Sequence, residues 1–233
     1  MINAIILAGG KATRMGDLCK TTPKLLMKLY NGETILETQI KMLKKAGITK
    51  CVLAVGHLKD VIKSSIGNNC LDVSIEYSEE QEPLGTGGAF KKAFEHIDQN
   101  DYCIGLNGDI YIPNFNPNSL FGIYTPFTNM VITTIKYTPP YGFVNCANVE
   151  DNFGDVISFS EKRPVMVNAG IYLFKPKSMY YPSAYSLFPN IGSIEKDVFE
   201  KNAKCSYYLH DGTWYDVGTP ENLNSVNKFL GAL

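Results

Sequence analysis

Short apolar runs alternate with amphipathic stretches over the first 110 residues. Residues 4–8, 51–55 and 102–106 are almost wholly apolar and read as strands buried on both faces. Residues 73–77 alternate apolar and polar, as a half-buried strand does. Between these runs the period changes to that of a helix. Thr34 followed by Glu37 makes a capping box, Leu36, Ile40 and Leu43 share one face, and Gly47 closes the segment. Residues 58–66 and 90–97 are predicted helices. The order βαβαβ predicts a parallel sheet with right-handed crossovers. Beyond Asp109, residues 130–135, 143–149, 156–160 and 170–174 read as strands with little helix between them. A helix over 193–202 starts at Ser193, and another opens at Thr219-Pro220, with proline at its first position. The pattern predicts an α/β, Rossmann-like fold: a mostly parallel mixed sheet flanked by helices. It forms one domain over 1–233, with an alternating strand–helix half (1–110) merging into a β-rich half (111–233).

Composition narrows the possible partners. Of the 233 residues, 45% are hydrophobic and 19% charged, which suits a packed core and excludes general disorder. The formal net charge of −1 argues against nucleic acid as a partner. The six cysteines are scattered with no Cys-x-x-Cys, so they read as reduced core residues of a cytoplasmic protein. The first apolar run is too short for a signal peptide or a membrane span. The three histidines are isolated and suggest no metal cluster.

The first strand feeds the loop Gly9-Gly10-Lys11-Ala12-Thr13-Arg14. Glycines let backbone N–H groups approach an anion, and Lys11 and Arg14 add charge beside them, so the loop suggests a phosphate site. A tight turn with two solvated cations is the plainer reading. The spacing matches neither the Gly-x-Gly-x-x-Gly dinucleotide fingerprint nor the P-loop. Open α/β sheets bind ligands beyond the carboxyl ends of their strands. Gly56-His57, the segment from Glu82 through Pro83, Gly85, Thr86 and Gly88, and Asn107-Gly108-Asp109 fall at the next three strand ends. Asp109 on a tight turn can hold a hard cation such as Mg²⁺, which takes one or two carboxylates and fills its shell with phosphates and water. Asp216, followed by Val217-Gly218, is the candidate second acid; its other reading is an acid near a helix amino terminus.

Together these motifs resemble the sugar-phosphate nucleotidyltransferases, the NDP-sugar pyrophosphorylases. The resemblance covers nearly the whole chain. It adds Pro23-Lys24, Tyr141-Gly142, Glu161-Lys162 and Asn168-Ala169-Gly170 to the motifs above, all in family order. Within the family the chain is most similar to short D-glycero-D-manno-heptose 1-phosphate and mannose-1-phosphate guanylyltransferases. The resemblance implies that residues 7–14 (Leu7, Ala8 and the loop through Arg14) hold the triphosphate and that Lys24 reaches the reacting phosphates. Pro83, Gly85, Thr86 and Gly108 are implied to line the nucleotide site, Gly85 and Thr86 against the base. Asp109 and Asp216 would hold Mg²⁺. Gly142, Glu161, Lys162 and Asn168 would line the sugar-phosphate pocket, with Lys162 on the phosphate. Arg14, Lys24 and Asp109 would carry the chemistry. The family loop usually has glycine where Ala12 stands. The loop is also similar to that of molybdenum-cofactor guanylyltransferases, which points to a guanine nucleotide.

The implied reaction is attack of a sugar 1-phosphate on the α-phosphorus of an NTP, giving an NDP-sugar and pyrophosphate. The nucleophile is already an anion, so positioning and charge neutralisation replace a general base. Another base and sugar pairing in the family, a glycosyltransferase and a non-catalytic sugar-nucleotide-binding homologue are the alternatives. The expected partners are NTP and sugar 1-phosphate, without nucleic acid or membrane; the oligomeric state stays open, a dimer among the options.

Overall fold

The computed structural model describes residues 1–125, 127–128, 130–146, 155–177, 184–201 and 204–232. The described strands are β1 (Ile2–Ala8), β2 (Lys50–Val55), β3 (Asn69–Cys70), β4 (Val73–Glu79), β5 (Tyr102–Asn107), β6 (Ile110–Tyr111), β7 (Met130–Tyr137), β8 (Phe143–Cys146), β9 (Val156–Ser160), β10 (Val165–Phe174), β11 (Cys205–His210) and β12 (Tyr215–Asp216). The α-helices are α1 (Ile35–Lys45), α2 (Lys59–Ile66), α3 (Gly85–Ala93), α4 (Ala184–Leu187) and α5 (Pro220–Gly231).

Eight strands form one sheet in the order β11-β7-β10-β5-β1-β2-β4-β3. β1 pairs in parallel with β2 and β5, and β2 with β4, as the βαβαβ reading requires. β10 runs antiparallel between β5 and β7, and β11 is again parallel to β7. The carboxyl ends of β1, β2, β4, β5, β7 and β11 therefore share one edge of the sheet.

Each face of the sheet carries its own core. Leu36, Ile40 and Leu43 of α1 and Ile62 of α2 pack on one face with Ile6, Leu53 and Leu106. On the other, Phe90 and Phe94 meet Tyr172, Phe174 and Phe188; the Phe90–Phe174 rings lie 5.3 Å apart, edge to face. The capping box of α1 is present in full: the Thr34 hydroxyl accepts from the Glu37 amide and Glu37 accepts from the Thr34 amide. Thr219 caps α5 by accepting from the Asn222 amide.

Several predicted elements differ from those observed. The helix predicted over 90–97 begins earlier: Gly85, Thr86, Gly87 and Gly88, read as a loop, form its first turn, and residues 94–96 tighten into a 3-10 turn. Glycine is needed there by close packing, because a Cβ on Gly85 (φ +73°) would strike the Gly192 backbone. The strand predicted at 170–174 starts at Val165, and β11 was not foreseen. The helix predicted over 193–202 is a single wide turn, Glu195–Phe199, with the Ser193 hydroxyl accepting from the Glu195 and Lys196 amides. Residue 202 and residues 147–149 of the predicted strand over 143–149 lie outside the described residues.

Candidate active site

A cleft of about 650 Å³ opens at the carboxyl ends of β1, β2, β4 and β5. Leu7, Gly9, Gly10, Lys11 and Ala12 line it from the first strand end, and Gly56 and His57 from the second. Glu80, Gln81, Glu82, Pro83, Gly85 and Thr86 form the wall after β4, and Asn107, Gly108 and Asp109 the floor after β5. The loops are tied to one another: the His57 amide donates to the Gly9 carbonyl at 3.2 Å. Four strand ends singled out from the sequence thus converge on one cleft.

Ala12 holds a left-handed conformation (φ 49°, ψ 40°). This conformation suits glycine, so alanine takes on the backbone usually left to its smaller counterpart. Lys24, in a 3-10 turn at residues 24–26, enters the cleft and meets Asp109, Nζ to Oδ2, at 2.7 Å. Their side chains are 12% and 28% exposed, so the pair is shielded but open to a ligand.

Asp216, which is not among the residues lining the cleft, is tied to Asp109 through a separate ladder. β12 pairs antiparallel with β6, setting Asp216 opposite Ile110, and the Val217 amide donates to the Asp109 carbonyl at 2.6 Å. Two acids 107 positions apart are thereby joined at the backbone. The Gly218 amide donates to Asp216 Oδ1 at 2.8 Å. A Cβ on Gly218 would stand 2.7 Å from Arg14 Nη2 and 2.8 Å from that same oxygen, so glycine leaves room for both groups. Arg14 therefore belongs to the Asp216 side, outside the lining of the main cleft; Ala8 and Thr13 do not line the cleft either.

Among the described residues, no three His, Cys, Asp or Glu side chains gather as a metal cage. Mg²⁺ does not need one: two carboxylates suffice when the nucleotide supplies the other oxygens. Asp109 and Asp216 fit that donor set, each with one oxygen engaged by a donor already described.

The residues implied for the sugar phosphate lie elsewhere. Gly142 and Glu161 flank the two-stranded β8–β9 ladder, where a Cβ on Gly142 would lie 3.2 Å from Glu161 Oε2 and 2.6 Å from the Phe159 ring. Lys162 follows with φ 44°. Asn168 donates to the Tyr172 hydroxyl and accepts from the Gly170 amide, both at 2.9 Å, and so holds the irregularity in β10 that presses Gly170 against Asn107. None of these four lines the main cleft.

The sequence reading missed Glu80. Glu79 points to α2, where Lys59 and Lys63 hold it at 2.8 and 2.5 Å and depress its pKa to about 2. Glu80 turns the other way, into the cleft. Its Oε2 accepts from the Leu84 amide at 3.0 Å, and a Cβ on Gly9 would lie 2.7 Å from Oε1. Burial raises its pKa, against the lowering effect of the Leu84 hydrogen bond and Lys92. In the run Glu79-Glu80-Gln81-Glu82 only strand parity separates the two neighbours, and the run looks like a solvated turn.

Residues 3–232 match the nucleotidyl transferase family. The chain belongs to that family. This nucleotidyl transferase is 32% identical over 232 residues to D-glycero-alpha-D-manno-heptose 1-phosphate guanylyltransferase of Campylobacter jejuni, covering 95% of this chain and 96% of that one. It is 30% identical to the enzyme of the same name from Aneurinibacillus thermoaerophilus, over 98% of both chains. It is 31% identical to the mannose-1-phosphate guanylyltransferase catalytic subunit beta of Dictyostelium discoideum, spanning 66% of that longer relative. Its fold is that of HddC from Yersinia pseudotuberculosis, solved in complex with GMP-PN (TM-score 0.74, 24% identity, 99% of this chain and 100% of that one). The resemblance read from the motifs is borne out, as is the mixed, mostly parallel sheet.

Proposed function

We infer that this nucleotidyl transferase moves a guanylyl group from GTP to a sugar 1-phosphate, either D-glycero-D-manno-heptose 1-phosphate or mannose 1-phosphate. A phosphate oxygen of the sugar forms a bond to the α-phosphorus of GTP, and the bond to the pyrophosphate oxygen breaks. The observation that carries this reading is the polarity of the cleft. At one end the Lys24–Asp109 pair, with Arg14 and Asp216 beyond it, suits phosphates and a cation. Where the wall after β4 meets Gly9, the Glu80 carboxylate offers an acceptor to donors of the base. Guanine presents two adjacent donors, N1–H and the N2 amino group, which suit one carboxylate; uracil and thymine present a single N–H between carbonyls. The names of the relatives agree with this choice.

Residue roles follow from charge and place. The loop of residues 9–14 cradles the triphosphate with backbone amides, Lys11 and Arg14. Lys24 neutralises charge as it moves onto pyrophosphate. Gly85 and Thr86 shape the base wall. Mg²⁺ on Asp109 and Asp216 supplies charge neutralisation at the α-phosphate when bound. Lys162 holds the sugar phosphate, beside Gly142, Glu161 and Asn168. The domain acts as one unit, residues 1–110 serving the nucleotide and 111–233 the sugar phosphate. All six cysteines are free thiols, which suits the cytoplasm, and among the described residues no helix is long and apolar enough to cross a membrane.

Pyrophosphate release from a panel of NTPs and sugar 1-phosphates tests the reading. GTP is expected to be the preferred nucleotide. Glu80→Gln keeps an acceptor for Leu84 but exchanges the charged acceptor for an amide, and kcat/KM for GTP should fall about 10- to 150-fold, the worth of a charged hydrogen bond at about 1.5–3 kcal/mol. The same variant should use UTP or dTTP no worse than the parent. A protein that prefers another NTP, or a Glu80→Gln variant that loses all nucleotides equally, would overturn the guanine assignment.

A further inference from the structure

Gln39 stands where a hydrophobic residue belongs. It lies on the buried side of α1, with Ile35 and Met42 to one side of it and Leu36 and Leu43 to the other, and is 2% exposed. Burying an amide in such a place is unfavourable unless its polar atoms find partners. Its Nε2 donates to two carbonyls, Asn107 O and Ile110 O, each at 3.0 Å. Its Oε1 is buried with no hydrogen-bond partner. The amide orientation is settled by those two acceptors, because the flipped form would set oxygen against two carbonyl oxygens. The chain leaves one acceptor unpaired and keeps both donors.

The two carbonyls bracket Gly108 and Asp109. β5 ends at Asn107 and β6 begins at Ile110, so Gln39 pins the last residue of one strand to the first of the next across the turn that presents the acid. The Asp109 carbonyl between them takes the Val217 amide. Backbone freedom at the turn is thus removed from both sides: from α1 by Gln39, and from the Asp216 ladder by Val217. The Asp109 carboxylate is left free to meet Lys24 in the cleft.

We propose that Gln39 is a positioning residue for nucleotidyl transfer, fixing the place of the Asp109 carboxylate and its Lys24 partner through the turn of residues 107–110. The proposal rests on the reading that this pair works at the reacting phosphates. Gln39 itself does not line the cleft.

Gln39→Met is close in volume and removes both donors. It is expected to keep both substrate KM values within about twofold while kcat falls about tenfold or more, since small misplacements at a reacting centre cost up to about 10²-fold. In an Asp109→Asn background the same change should alter kcat by less than about twofold, because residues acting through one group are not additive. Gln39→His keeps one ring N–H near the same carbonyls and should recover part of the lost kcat. If Gln39→Met does not accumulate as folded protein, wild type and Gln39→His are compared directly, and the same loss confined to kcat is expected. Amide hydrogen exchange gives a readout apart from activity: the Val217 amide should exchange faster in Gln39→Met, while amides of β2 keep their protection. Unchanged kcat, equal losses in both backgrounds, no recovery by histidine, or exchange accelerated throughout the sheet would each overturn the proposal. If Asp109→Asn alone transfers at the parental rate, the reading of the site fails instead, so the two failures are distinguishable.

Discussion

The sides proposed here for the nucleotide and for the sugar phosphate are built in opposite ways. The first is a set of strand ends seated on a core: β1, β2, β4 and β5 carry buried residues up to the last turn, and their loops hydrogen-bond to one another. The second places Gly142, Glu161 and Lys162 at the ends of a two-stranded ladder. On that ladder Val144, Ile157 and Phe159 are each more than half exposed. A pair of strands alone is marginally stable in water, whereas a central parallel sheet is held on both faces. The difference teaches that binding energy is used differently on the two sides. On the proposed assignment the nucleotide would meet a preorganised surface, while the sugar phosphate would help to order its own.

Substitutions on each side should expose this contrast. Lys24→Ala acts on the preorganised side and carries the largest expected effect. It removes the cation 2.7 Å from Asp109, leaves that carboxylate unpaired, and takes charge neutralisation from the reacting phosphates. We expect kcat to fall about 10²–10³-fold, as for the loss of one oriented donor, with smaller changes in either KM. Steady-state kinetics with both substrates varied decides it; a normal kcat with a raised KM would reduce Lys24 to a binding role.

Lys162→Ala acts on the ladder side. Loss of a charged contact to phosphate at about 1.5–3 kcal/mol should raise KM for the sugar 1-phosphate about 10- to 150-fold. GTP affinity, measured by calorimetry without the second substrate, should stay within about twofold. Equal weakening of both substrates would erase the contrast between the two sides.

The smallest effect tests the cost of preorganisation. Ala12→Gly relieves a left-handed alanine, worth up to about 1 kcal/mol after the entropy cost of glycine. For a chain of this size that is about 2–4 °C in Tm. Thermal unfolding should show a neutral to slightly raised Tm with transfer retained. A marked loss of stability would mean that alanine makes contacts at this site that outweigh its backbone strain.

Much of the fold was legible because its signals are local. The capping box at Thr34, the turn at Gly47, the three apolar strands and the alternating strand at 73–77 are each set within a few residues. Edge strand β11 was missed because its pattern, with Ser206, Tyr207 and Tyr208 in succession, lacks both an apolar run and clean alternation. The glycines at 85–88 read as a loop because glycine disfavours helix on its own; packing against residues 189–192 decides otherwise. The site was legible where chemistry coincides with a motif, as at Asp109 and Lys24. It was hidden where chemistry depends on direction. Glu80 differs from Glu79 only in which side of the strand it leaves, and Gln39 looks like a tolerated polar residue until its two acceptors are located.

The ladder between β6 and β12 also has a consequence for how the enzyme comes into being. It joins residues at 110–111 to residues at 215–216, so its contacts close one of the longest loops in the chain, a slow step in folding. During synthesis Arg14, Lys24 and Asp109 all leave the ribosome well before Asp216. On the proposed roles, a partly made chain would therefore hold the groups that attract a nucleotide but not the second acid. On the metal role proposed for Asp216, competence for transfer would arrive only when that late segment docks, and until then a nascent chain would not spend GTP.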